Sequence, residues 1–207
     1  MSHRVKTNQP LRVIGISGSL REGSYTRMAL KIALEGAEEL GAETRILDLR
    51  NYDLTFMDGR NKPYPQGVQR LRADVQRAQG IILGTPEYHG GMSGVLKNAL
   101  DLMGFEQFGG KMLGLIGVSA GELGAVNALN SLRTIGRALH AWVVPQQVSI
   151  PTVWKLFKED GTLEDDNLRK RLKEVGREVA RFAFLHTSEQ IQDFLYEWET
   201  AVPNPGG

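Results

Sequence analysis

The chain has 207 residues, of which 41% are apolar and 24% charged, a balance typical of one globular domain. Its 25 basic and 24 acidic residues give a formal charge of +1, which excludes the strongly basic character of a typical nucleic-acid-binding domain. The absence of cysteine excludes disulfides, thiol nucleophiles and cysteine-ligated metal sites.

Residues 1–10 are polar and basic, and no apolar segment follows that would make them a secretory signal. We predict that they form a flexible N-terminus. No apolar run elsewhere in the sequence approaches the roughly 20 residues that a spanning helix needs. We therefore expect a cytoplasmic protein that associates with neither a membrane nor a nucleic acid.

Five short apolar runs predict the strands of a buried sheet. They span residues 11–16, 44–49, 80–84, 112–118 and 141–148. The third run, Gly-Ile-Ile-Leu-Gly, is apolar throughout and indicates a central strand. Pro145 in the last run indicates a bend or an edge position, because proline cannot donate a sheet hydrogen bond.

Helical spacing of apolar residues predicts a helix after each strand. These helices span residues 26–40, 69–79, 93–103, 126–139 and 168–182, and a tail with a further short helix follows. Gly41 is a suitable stop for the first helix, and Ser93 is a candidate N-cap of the third. Alternating strands and helices indicate a parallel sheet covered on both faces. Ligands of such sheets bind outside the carboxyl ends of the strands.

The first loop, residues 18–27, joins the first strand to the first helix and is rich in hydroxyl groups. Ser19, Ser24 and Thr26 can donate hydrogen bonds there. Arg21 adds a positive charge, and the helix N-terminus favours an anion. These features predict a phosphate monoester. The alternative is an ordinary helix start, with Ser24 as the N-cap and Arg21 in solvent.

Sequence patterns narrow the choice of phosphate ligand. The chain lacks the Gly-Lys-Ser/Thr ending of a nucleoside-triphosphate loop, and the glycines at 15 and 18 have the wrong spacing for a dinucleotide fingerprint. A mononucleotide with one terminal phosphate remains, and FMN suits a fold of this size.

The second loop, residues 85–92, carries side chains that suit a flat ring. Pro86 fixes a turn, Tyr88 and His89 are planar, and two glycines allow the backbone to approach closely. Glu87 either lies beside the ring or is a solvated charge. His89 is not expected to bind a metal, because the other histidines lie far away without ligand spacing.

The third loop, residues 119–124, opens the next helix with small residues. Ser119 and Gly121 can let the edge of a ring approach the backbone. Taken alone, this segment is better explained as a capped turn between a strand and a helix. It becomes a candidate because all three loops leave the carboxyl ends of strands that we expect to be central.

Three segments resemble the NADPH-dependent FMN reductase family, a flavodoxin-like group that includes quinone and chromate reductases and azoreductase-type flavoproteins. They are Gly-Ser-Leu-Arg at 18–21, Thr-Pro-Glu-Tyr at 85–88 and Ser-Gly-Val-Leu-Lys-Asn-Ala-Leu-Asp at 93–101. The resemblance implies a flavodoxin-like three-layer α/β fold, with a five-stranded parallel sheet in the order 2-1-3-4-5. It also implies that residues 11–186 form the FMN-binding domain.

The same resemblance implies where FMN binds. Its phosphate would be held by Ser19, Arg21, Ser24 and Thr26. Its ring would be lined by Pro86, Glu87, Tyr88 and His89, mostly through backbone atoms, with Ser119 and Gly121 on the other side. No metal site and no catalytic side chain are implied, because FMN carries the chemistry.

Two residues depart from the family pattern, which typically has asparagine where this chain has Thr26 and commonly where it has His89. Thr26 keeps a hydroxyl that can reach a phosphate, so FMN binding is expected to persist. His89 changes the size and charge of the side chain near the ring. We expect it to influence the choice of acceptor more than flavin binding.

The activity that the resemblance implies is a ping-pong reaction, in which NADPH or NADH passes hydride to FMN and a small acceptor then takes its place. Quinones, azo compounds, chromate, ferric complexes and free flavin all suit an open flavin face. The family usually forms homodimers or homotetramers. The tail, residues 187–207, is expected to dock on a neighbouring subunit.

Two alternatives stay open. One is a flavodoxin-type electron carrier that binds FMN without pyridine-nucleotide turnover, although such carriers tend to be acidic and this chain is nearly neutral. The other is a flavin redox sensor whose output is a contact with a partner. A phosphoryl-receiver module is disfavoured, because Ser17-Gly18 and Thr85-Pro86 stand where it needs acidic residues.

Overall fold

The computed structural model describes residues 10–59, 63–158 and 160–200. The predicted flexible N-terminus, residues 1–10, lies outside these ranges except for Pro10, and residues 201–207 of the tail also lie outside. Along the described ranges, no helix combines the length and the apolar character that crossing a bilayer requires.

The described residues form six strands. They are β1 (Arg12–Ser17), β2 (Glu43–Asp48), β3 (Gly80–Tyr88), β4 (Gly91–Met92), β5 (Met112–Val118) and β6 (Trp142–Ile150). Five of them form a parallel sheet in the order β2-β1-β3-β5-β6, and β4 pairs antiparallel with β3. The predicted order 2-1-3-4-5 is confirmed, because the fourth and fifth predicted strands are β5 and β6. The prediction lacks only the short β4.

Helices cover both faces of this sheet. The described helices are α1 (Tyr25–Glu38), α2 (Gln66–Gln76), α3 (Gly94–Asp101), α4 (Phe105–Phe108), α5 (Val126–Ala138), α6 (Asp166–Thr187) and α7 (Glu189–Thr200). The buried side chains of α1 and α6 form one core cluster with the sheet, and those of α2, α3 and α5 form a second. The predicted three-layer α/β fold is therefore confirmed.

Two glycines allow α1 and α6 to pack at very short range. A Cβ at Gly176 would lie 1.8 Å from the carbonyl oxygen of Ala33, and a Cβ at Gly36 would lie 2.1 Å from that of Lys173. Real Cβ atoms do not approach backbone oxygens so closely, so neither position has room for a side chain. The separation of the two helices is thus set by the absence of side chains at these points.

The predicted second loop is wrong over residues 85–88, which continue β3 to Tyr88. A tight turn then leads into β4, and its central residues His89 and Gly90 have φ angles of 51° and 76°. Two central residues with positive φ are typical of a type I′ hairpin turn. Pro86 suggested the end of a strand. However, β1 ends beside Gly84, so the residues of β3 after Gly84 have no partner in β1. Proline is tolerated there, because no hydrogen bond to β1 is lost.

The free edge of β6 is irregular. Pro145 predicted a bend or an edge position, and β6 is the edge strand. The register between β5 and β6 also shifts between Leu113 and Leu115, next to Pro145. Arg133 of α5 donates hydrogen bonds to the carbonyl oxygens of Val144, at 3.2 Å, and Pro145, at 2.7 Å. A bulge, a proline and a covering arginine are devices that prevent pairing with a further strand.

Candidate functional site

The three candidate loops leave the same edge of the sheet. β1, β3 and β5 are neighbours, and their register places Ser17 beside Gly84 and Pro86 beside Val118. The backbone N–H of Gly18 donates to the carbonyl oxygen of Gly84 over 2.8 Å, which joins the first loop to β3. The predicted site residues are therefore brought together at the carboxyl ends of the three central strands.

Two serines of the first loop are buried, and each accepts one backbone hydrogen bond. Ser24 caps α1, with its Oγ accepting from the N–H of Arg27 over 3.3 Å. Ser19 Oγ accepts from the N–H of Arg21 over 3.4 Å. A hydroxyl that accepts one bond still has its own proton to donate. The N-cap role of Ser24 and a role in anion binding are therefore compatible.

Ser17 lies below this loop, fully buried at the end of β1, and its Oγ has no hydrogen-bond partner in the described part of the chain. Strand alternation places it on the face of Gly15, which lies against Leu30 of α1. The first N–H groups of α1, at Tyr25 and Thr26, also lack an acceptor among the described residues. A phosphate, which has several acceptor oxygens, is the kind of group that would satisfy these donors.

Arg27 fixes the backbone of the first loop by hydrogen bonds. Its guanidinium donates to the carbonyl oxygens of Arg21, at 2.9 Å, and Glu22, and it lies 3.2 Å from the carboxylate of Asp48. Burial raises the pKa of Asp48, but hydrogen bonds from Arg50 and the charges of Arg27 and Arg50 outweigh it, so the pKa lies below its ordinary value. Asp48 therefore stays ionised and holds Arg27 in place.

The remaining first-loop residues have different environments. Arg21 is exposed, so its side chain is accessible from solvent. Thr26 is buried and faces Gly84, where a Cβ would lie 2.9 Å from the threonine methyl group. Ser93, the N-cap of α3 as predicted, donates from Oγ to the carbonyl oxygen of Gly18 over 2.6 Å. Hydrogen bonds to β3 and to the start of α3 thus hold the loop at Gly18, while residues 20–23 are exposed.

The carboxylate of Glu87 is bound within the protein and is not a free solvated charge. Its Oε2 accepts a hydrogen bond from the N–H of Ala128 over 2.9 Å, at the N-terminus of α5, where Ala125 offers no side-chain cap. A carboxylate at this place also suits the helix dipole. Pro86 is buried beside it, whereas Tyr88 and His89 are exposed on the hairpin. These two planar side chains, and the backbone, remain accessible to a ligand.

The third loop is tied to the segment that follows β6. Ser119 Oγ accepts from the N–H of Gly121 over 3.0 Å, and the carbonyl oxygen of Gly121 accepts from the N–H of Thr152 over 3.1 Å. Trp154 donates from Nε1 to the carbonyl oxygen of Ala120 over 3.4 Å and keeps its ring half exposed. Trp154 could not be placed in this region from its sequence position, because its location depends on how β6 ends.

A groove elsewhere on the surface is a weaker candidate for a ligand site. A groove of about 360 Å³ lies at the amino ends of β1 and β2, but its arginines are already paired with carboxylates. Arg12 lies 3.3 Å from Glu43, and Arg45 lies 2.7 Å from Asp74. Among the residues that the structure describes, no three His, Asp or Glu side chains are placed to hold a metal ion.

The chain matches the family model of NADPH-dependent FMN reductases over residues 11–155. It belongs to this family. One relative is NADPH-dependent FMN reductase ArsH of Shigella flexneri, 32% identical over 181 residues, which are 85% of this chain and 70% of ArsH. Another is the FMN-dependent NADPH-azoreductase of Staphylococcus saprophyticus, 35% identical over 167 residues, which are 76% of this chain and 88% of that protein.

A solved structure extends the comparison. FerB, a flavoenzyme NAD(P)H:(acceptor) oxidoreductase from Paracoccus denitrificans, superposes with a TM-score of 0.70 at 24% identity, over 85% of this chain and 98% of FerB. This likeness concerns the fold alone. The resemblance predicted from the three segments is confirmed by the FMN reductase match, which stops at residue 155, before α6 and α7.

Proposed function

We propose that this protein is an FMN-dependent NAD(P)H oxidoreductase that reduces small acceptors. Membership of the FMN reductase family supports the reaction class, and it favours an enzyme over an electron carrier or a sensor. The observation that carries the proposal is the fully buried Ser17 hydroxyl, which has no partner among the described residues. The Ser17 hydroxyl lies close to the hydroxyl-rich first loop and to the start of α1, where two N–H groups have no acceptor among the described residues. Hydrogen-bond donors of this kind suit a phosphate.

The first loop would hold the FMN phosphate. Ser19 and Ser24 would donate their free hydroxyl protons, Thr26 would add a backbone N–H, and Arg21 would supply a charge-assisted hydrogen bond. Ser17 joins this set, because a buried hydroxyl without a partner is costly unless a ligand satisfies it. When bound, FMN supplies the two-electron chemistry that links a nicotinamide to an acceptor.

The second and third segments would line the flavin ring. Tyr88 and His89 would offer planar side chains on one side of the ring, with backbone atoms from the same hairpin. Pro86 would support them from below, and Ser119 and Gly121 would offer backbone atoms on the other side. Glu87 would act through its position, because its carboxylate joins the hairpin to α5. No side chain of this set is proposed as an essential acid or base.

The acceptors that we propose are small molecules such as quinones, azo compounds, chromate, ferric complexes or free flavin. The exposed side chains of Leu20, Tyr88 and Leu123 give the rim of the site an apolar character that suits flat organic acceptors. We also propose NADPH or NADH as the reductant and the cytoplasm as the location, since these coenzymes belong to the cell interior. Residues 11–186 would form the FMN-binding domain, assembled as a homodimer or homotetramer.

The absorption spectrum of the purified protein tests the proposal. We expect flavin bands, release of FMN on denaturation, and bleaching of the bands when NADPH or NADH is added without oxygen. Bands that persist with both nucleotides would favour a carrier or a sensor. A colourless protein that takes up no added FMN would refute the cofactor, and with it the proposed activity.

Replacing Ser17 by alanine should have two effects of opposite direction. Removing a buried hydroxyl without a partner is expected to raise the free energy of unfolding of the flavin-free protein by about 1 kcal/mol. The same change removes a hydrogen bond to the phosphate and should weaken FMN binding about tenfold. Urea unfolding and a titration of FMN fluorescence measure the two effects. Ser131→Ala, on the exposed side of α5, is the matched control. Unchanged FMN affinity in Ser17→Ala would remove Ser17 from the site.

A further inference from the structure

α7 is a separate helix attached to the end of α6. Ser188 ends α6 with an extended backbone, ψ 133°, and its Oγ accepts from the N–H of Ile191 at the start of α7, over 3.3 Å. A single residue therefore stops one helix and starts the next. α7 contacts α6 but keeps its described side chains exposed, and it lies outside the FMN reductase match, which stops at residue 155.

α7 carries two rows of apolar side chains, of which one is unpartnered. Ile191 and Leu195, four residues apart, are 36% and 38% exposed. Phe194 and Trp198, also four residues apart, are 62% and 69% exposed. Residues at this spacing share one face of a helix. The first row is thus partly covered by the chain itself, and the second faces solvent with two large aromatic rings.

Two more exposed aromatic side chains lie near the point where α6 joins α7. Phe184, in the last turn of α6, is 60% exposed, and Trp142, at the start of β6, is 61% exposed and stacks on His186 with ring centroids 6.0 Å apart. Four such aromatic rings present on the order of 400–600 Å² of apolar area, given about 150–250 Å² for a whole side chain. A standard interface buries about 800 Å² on each partner. Buried together in one contact, these four side chains would supply most of that area.

Charge indicates what covers this surface. Residues 189–207 contain four acidic residues and no basic ones. The exposed face of α6 carries Lys170, Arg171 and Arg181, which form no ion pair with any described residue. One copy of the chain thus offers an acidic amphipathic helix and also a basic helix face, on a helix whose basic residues outnumber Asp166, Glu174 and Glu178. An acidic helix is repelled by anionic lipid surfaces.

We propose that α7 and the end of α6 form an interface with a second copy of this chain. Around a twofold axis, α7 of each copy lies along the basic face of α6 of the other, and the aromatic side chains fill the centre. Such an isologous contact uses the same surface twice. Pairing through β6, the edge strand that carries Trp142, is not involved, because its edge is closed by Pro145 and Arg133. The proposal does not depend on the activity.

Sedimentation analysis of the FMN-loaded protein tests the interface. The variant Phe194→Glu/Trp198→Glu should have half the molar mass of the wild type, with unchanged circular dichroism and FMN content. Leu40→Glu, which changes an exposed leucine beyond the end of α1, should keep the wild-type mass. A monomeric wild type, or an unchanged mass in the aromatic variant, would overturn the proposal.

Charge reversal identifies the partner as a second copy. Asp193→Lys/Glu197→Lys and Lys170→Glu/Arg181→Glu should each halve the molar mass, because like charges then face each other. All four substitutions in one chain should restore the wild-type mass, since the two reversed faces are again complementary. Failure of the combined variant to reassemble would show that α7 does not lie on α6 of a second copy.

Discussion

Replacing Gly176 by alanine is expected to lower the free energy of unfolding by about 3 kcal/mol. The new Cβ would lie 1.8 Å from the carbonyl oxygen of Ala33 and 3.0 Å from the backbone nitrogen of Ala37, so α1 and α6 must move apart. Alanine is the better helix former by about 1 kcal/mol, and the steric conflict outweighs that gain. For a chain of this size, the melting temperature should fall by about 6–12 °C.

Thermal and urea unfolding of the flavin-free protein measure this effect without a contribution from ligand binding. Gly94→Ala is the matched control, because Gly94 is also helical and a Cβ there meets no atom within 4 Å. It should change the free energy of unfolding by less than about 0.5 kcal/mol. A loss below about 1 kcal/mol in Gly176→Ala would mean that the two helices adjust at little cost.

Arg21→Ala is expected to raise the Kd for FMN about 10- to 100-fold. A hydrogen bond between charged groups contributes about 1.5–3 kcal/mol, and each 1.4 kcal/mol corresponds to a factor of ten. The loop itself should survive, because Arg21 takes part in its internal hydrogen bonds through backbone atoms only. At saturating FMN, turnover with a nicotinamide nucleotide should remain close to that of the wild type.

Quenching of FMN fluorescence on titration with flavin-free protein gives the Kd. Arg137→Ala is the control, because Arg137 is an exposed arginine in the last turn of α5, at the end of the helix away from the third loop. It should leave the Kd unchanged. A variant that keeps its flavin content and loses turnover would contradict the phosphate-binding role, because Arg21 would then act on the reaction.

The fold could be predicted from the sequence because its elements have clear periodicity. The run 112–118 coincides with β5, and the apolar spacing of α6 and the stop at Gly41 are local signals. The strand order came from the resemblance to the FMN reductase family. β4 escaped prediction, because two residues give no periodic pattern, and because the turn before it uses His89 where Asn or Gly is the usual signal.

The side-chain contacts of the site could be predicted only in part. The hydroxyl-rich loop was visible in the sequence, but the buried state of Ser17 depends on α1 packing above β1. Arg27 gave one signal that was missed: a cation in the first turn of a helix is unfavourable and needs a nearby anion. That anion is Asp48, on another strand. Similarly, the contact of Glu87 with α5 joins residues 41 positions apart.

The packing of α6 means that the segment matching the FMN reductase family is not the whole folding unit. The match to FMN reductases ends at residue 155, yet Leu172, Val175 and Val179 of α6 complete the core on one face of the sheet. A chain that ended at 155 would keep every predicted flavin-site residue but would expose to water the part of that face that α6 covers. The segment that matches the family is therefore shorter than the segment that folds as a unit. Moving the flavin site into another protein would require α6 as well as residues 11–155.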